Sequence, residues 1–62
     1  MNEHFEKIKK DLEEQLQHLK DVKNKINDLN LDEKVKTELI KDQEKSIDFI
    51  NEQIEKLKNI FK

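Results

Sequence analysis

The chain has no cysteine, glycine, proline, tryptophan or tyrosine, and all thirteen of its basic residues are lysine. Each absence removes a class of function. Without cysteine there are no disulfides, thiolate metal sites or cysteine nucleophiles, a usage that fits a reducing compartment. Without glycine there is no loop of the kind that cradles phosphates. Without arginine the bidentate fork that favours phosphate and guanine recognition is missing. Long apolar runs are absent too. No stretch approaches the roughly 18 residues of a membrane span, and the first residues, "MNEHFEKIKK", contain no apolar segment of the signal-peptide type. The expected location is therefore cytoplasmic, with no membrane partner.

What is present is charge and period. The 62 residues are 45% charged and 32% hydrophobic, with a net charge of only -2. That apolar share lies well below the usual near-half of a globular protein, so a single small domain, residues 1–62, is expected to bury part of its apolar surface against another chain. Disorder is the competing explanation of such a composition. Disordered chains combine high net charge with Pro, Gly or Ser excess, whereas this one has a single serine and a strict repeat.

With Phe5 as heptad position a, the a slots hold Phe5, Leu12, Leu19, Ile26, Glu33, Ile40, Ile47, Ile54 and Phe61. The d slots hold Ile8, Gln15, Val22, Leu29, Lys36, Gln43, Ile50 and Leu57. One register runs from end to end, which is the coiled-coil signature. Leu16, Leu39 and Ile60, at e and g, widen the stripe toward the pattern of bundle helices. Pairs such as Glu3 with Lys7, Glu6 with Lys10, Asp21 with Lys25 and Glu52 with Lys56 are spaced for i,i+4 attraction.

The same register would suit one straight helix. Glu33 and Lys36 argue against it, because they occupy consecutive seam slots at the middle. Around them, in "INDLNLDEK", Asn27, Asp28, Asn30 and Asp32 favour caps and turns. Asn30 is expected to end the first helix in the left-handed conformation, and Asp32 to cap the second, with Glu33 in its first turn. Leu31, Val35 and Leu39 would be bare on a straight coil; in a hairpin they form a stripe that closes the end of a bundle. The expected fold is thus all-α: an antiparallel hairpin with helix 1 over about 2–29, a turn near 30–32 and helix 2 over about 33–61. Two hairpins would form a homodimeric four-helix bundle, since two narrow-striped helices cover only one side of each other. The expected core and dimer residues are Phe5, Ile8, Leu12, Gln15, Leu19, Val22, Ile26, Ile40, Gln43, Ile47, Ile50, Ile54, Leu57 and Phe61.

In its length, its mid-chain turn and the Asn, Leu and Asp-Glu placement of "INDLNLDEK", the chain resembles the Rop family of plasmid-encoded RNA-binding proteins. The resemblance implies a helical hairpin dimerising into a four-helix bundle. The positions corresponding to that family's RNA contacts are Glu3, Lys10, Glu14, His18 and Lys25. Only Lys25 keeps the family's residue, Glu3 reverses a charge, and Glu14 stands where an aromatic belongs, so the resemblance speaks for the fold and against the activity. The segment "SIDFINE" is similar to part of the small sporulation aspartyl-phosphate phosphatases, but their signature would need serine where Glu44 stands.

No catalytic, cofactor-binding or metal-binding residue is expected. His4 and His18 share slot g on one helix about 21 Å apart, too far to hold one metal ion. A carboxylate-bridged dimetal site would need Glu-x-x-His pairs facing the core, and none occurs. Nucleic acid is not an expected partner: residues 1–29 carry six lysines against seven acidic residues, and residues 32–62 seven against eight, leaving little counterion release to drive binding. Gln15 and Gln43, in seam slots, are expected to sit near Ile47 and Leu19 and to fix register or oligomeric state. Phe49, at c with Lys45, Glu52 and Gln53 as helical neighbours, is the candidate contact for a protein partner. These residues point to a small non-enzymatic interaction module, a regulator or inhibitor that binds another protein. A structural oligomerisation element and a Rop-like RNA binder are the alternatives.

Overall fold

The computed structural model describes residues 3–60. Two helices, α1 (Glu3–Asn27) and α2 (Glu33–Ile60), pack against each other in an antiparallel hairpin. The expected core residue Phe61 lies outside the described residues. The hairpin extends 48 × 15 × 9 Å, so the chain folds back and is not one straight coil.

The chemistry of the turn explains why. Asp32 accepts the Lys34 backbone N–H on its Oδ1 at 2.8 Å, while its own carbonyl accepts the first helical bond of α2, from the Lys36 N–H at 2.9 Å. This is the N-cap expected from the sequence, and Glu33 adds negative charge to the first turn. The end of α1 is different from the expectation. None of the described residues has positive φ, so Asn30 does not supply a left-handed cap. Instead α1 stops at Asn27, and the chain tightens through two i→i+3 bonds: Asp28 N–H to the Lys25 carbonyl and Leu29 N–H to the Ile26 carbonyl, both 3.1 Å.

Lys36 completes that end from the other helix. Its ammonium donates to the Asn27 carbonyl at 3.0 Å, placing a cation on the negative end of the α1 dipole and satisfying one of its orphan acceptors. The lysine that interrupts the heptad seam is thus a cap supplied in trans by α2.

Along the shared seam Ile50 and Ile54 are buried, and Phe5, Leu12, Leu19, Val22, Ile26, Ile40, Gln43, Ile47 and Leu57 are half-buried. The helices do not present the same slots, however. α2 packs through a and d, as counted. α1 packs mainly through a and e, with Leu16, Lys9 and Lys23 half-buried beside the a slots and Val22 the one d residue of the helix that stays half-buried. The rotation moves two expected core residues out: Gln15 is exposed, and Ile8 is 45% exposed. Nor do the expected i,i+4 ion pairs form. Ion pairs form instead between Lys23 and Glu44 at 3.2 Å, which ties the e slots of the two helices, and between Lys58 and Glu55 at 3.8 Å.

Replacing Glu33 with Ile and Lys36 with Leu removes both the seam interruption and the trans cap. Small-angle scattering of that variant is expected to show a particle lengthening from the 48 Å of the hairpin toward the roughly 90 Å of one continuous helix. An unchanged length would mean that the Asp32 cap and the tightened turn suffice without Lys36.

Candidate interaction surface

Every large hydrophobic side chain that α1 or α2 leaves exposed lies on one side of the hairpin. In an antiparallel pair the e slots of the two helices share one side and the g slots the other, and the Lys23–Glu44 pair marks the e side. Ile8 is at d of α1, turned toward the g side by the rotation of that helix. Leu39 and Ile60 are at g of α2, while Val35 and Phe49, at c, form the outer edge of the same side. Phe49 and Ile60 are the barest, at 58% and 74%. Leu29 and Leu31, in the turn, are exposed as well. The e side carries Lys9, Lys23, Thr37, Glu44, Asn51 and Lys58, with no exposed large hydrophobic among them.

Leu31, Val35 and Leu39 were expected to be covered at the end of a bundle. Within one hairpin they are not: Leu31 lies in the turn, and Val35 and Leu39, at c and g, point too far from the seam for a single neighbouring helix to cover them. The same geometry leaves Phe49 bare. Of its flanking residues, Lys45 and Glu52 are exposed and Gln53 is half-buried.

The middle of this side is polar. A shallow groove of about 540 Å³ opens there, lined by Asp11, Glu14, Gln15, His18 and Leu19. Opposite, the Ser46 hydroxyl donates back to the Asp42 carbonyl at 3.3 Å, which keeps it off the surface's donor inventory. Gln43 reaches into the seam, and its Oε1 is sealed from solvent without a hydrogen-bond partner. A buried acceptor left in that state costs stability.

The residues at positions corresponding to Rop-type RNA contacts, Glu3, Lys10, Glu14, His18 and Lys25, are all exposed along α1. Among the described residues no group of three or more His, Asp or Glu is placed to hold a metal ion, and no helix is long and apolar enough to cross a membrane. No protein-family model, curated protein or solved structure matches the chain.

Two features escaped the heptad count. One is the Lys36 cap, which only the folded turn brings to Asn27. The other is the a/e packing of α1, for which Gln15 at d beside Leu16 at e is the signal in the sequence. Gln43→Leu is expected to stabilise the fold by about 1 kcal/mol or more, raising the thermal midpoint by roughly 4–8 °C in a circular-dichroism melt. A fall in the midpoint would show that the carboxamide is satisfied and useful where it sits.

Proposed function

We propose that this chain is a small non-enzymatic protein–protein interaction module that works as a homodimer, two hairpins meeting through their apolar sides in a four-helix bundle. The bundle then acts as a regulator or inhibitor by binding another protein, with Phe49 at the edge of the covered side and its neighbours Lys45, Glu52 and Gln53 as the contact. The segregation of exposed apolar side chains onto one side carries this reading.

Area supports it. The hairpin exposes 5191 Å² for a mass of 7.6 kDa. A compact monomer of that mass exposes roughly 4,300 Å². The excess, about 900 Å², matches the roughly 800 Å² that each partner contributes to a standard interface. An apolar surface of this kind on a small chain marks an interaction site, and two hairpins cover each other's open side as single helices cannot.

In sedimentation equilibrium the chain is expected to weigh about twice 7.6 kDa, and Ile8→Glu with Leu39→Glu should return it to one chain by burying like charges in the interface. Structured RNA added to the same cells is expected to sediment independently, since neither helix is basic overall. A wild-type mass of one chain contradicts the dimer, and salt-sensitive co-sedimentation with RNA favours the Rop-like alternative.

A further inference from the structure

Resting on that dimer, we infer that its two-fold axis crosses at Gln15, so that α1 of one copy lies antiparallel along α1 of the other with the two Gln15 carboxamides paired. Gln15 is the middle residue of α1, Glu3–Asn27. It belongs to the d line of α1, on which Ile8, exposed, and Val22, half-buried against α2, stand one heptad to either side of it. The line therefore reads apolar, polar, apolar about its own centre. Laid antiparallel on a second copy it is self-complementary: Ile8 meets the partner's Val22, Val22 the partner's Ile8, and Gln15 the partner's Gln15.

The chemistry at the centre suits a two-fold axis. A carboxamide is donor and acceptor at once, so two related by symmetry can exchange a pair of N–H···O bonds, each Nε2 donating to the other's Oε1. Lysine or glutamate there would meet its own charge. The flanking g slots follow the same rule, because Asp11 and His18 lie on opposite sides of the Gln15 layer. The antiparallel arrangement sets each aspartate beside the partner's imidazole. A slip of one heptad would face Gln15 with Ile8, leaving a desolvated amide unpaired. The glutamine that interrupts the heptad pattern of one chain thereby fixes the register of two, the attested use of a polar residue in a helical interface.

A chain free of cysteine takes single-cysteine reporters cleanly. Gln15→Cys is expected to form disulfide-linked dimers under mild oxidation about a hundredfold faster than Glu13→Cys on the opposite side, the ratio being set by effective concentration. Ile8→Cys and Val22→Cys should link little alone and readily when mixed. Efficient linkage of Ile8→Cys to itself indicates parallel hairpins and overturns the inference. So does a two-chain mass by sedimentation with no linkage at Gln15→Cys, an outcome that leaves the dimer itself standing. A one-chain mass overturns both.

Discussion

Two helices packed as a pair can seal only the stripe along which they touch, and this chain carries apolar side chains beyond that stripe. Ile50 and Ile54 are the buried hydrophobic residues of the hairpin, while Ile8, Val35, Leu39, Phe49 and Ile60 remain open on one side. The turn, the rotation of α1 and the proposed dimer are all tied to how that second stripe is placed. Folding back brings the seam together, and turning α1 toward its e slots sends Ile8 and Gln15 to the side where α2 presents g and c. The result is a thin, two-helix layer whose exposed large hydrophobic side chains gather on one side, about a polar middle.

The turn is held by capping where other hairpins use glycine. Asp32 closes the start of α2 with its own side chain, and Lys36 closes the end of α1 from across the gap. Both contacts use residues that a continuous coil could not accommodate well, a charge in a seam slot and a helix-capping aspartate beside it. The two charged interruptions in the heptad pattern therefore have different roles. Glu33 favours the N-terminus it stands at, and Lys36 reaches for a carbonyl on the neighbouring helix.

How far the sequence foretells this varies with the range of the interaction. The hairpin and the Asp32 cap are legible because capping is local: side chain and recipient N–H are two residues apart. The conformation of Asn30 is not, because i→i+3 bonds at Asp28 and Leu29 end α1 before Asn30 is reached. Slot assignment for α2 follows the count, but for α1 the count places Ile8 and Gln15 inside. The structure gives their place to Leu16 and to the stems of Lys9 and Lys23. A heptad count cannot weigh a lysine stem against a glutamine, since both depend on what the neighbouring helix offers. The apolar side is legible only once that rotation is known, because Ile8 on α1 and Leu39 on α2 occupy different slots.

If a second copy covers the apolar side, folding and association are one equilibrium, and stability depends on how much protein is present. The thermal midpoint, followed by circular dichroism across a series of protein concentrations, reads this coupling. A folded dimer melting to two free chains predicts a rise of roughly 5 °C for each tenfold increase in concentration. A midpoint that stays constant over that series would mean that one hairpin is stable alone, and that its open side is not a dimer interface.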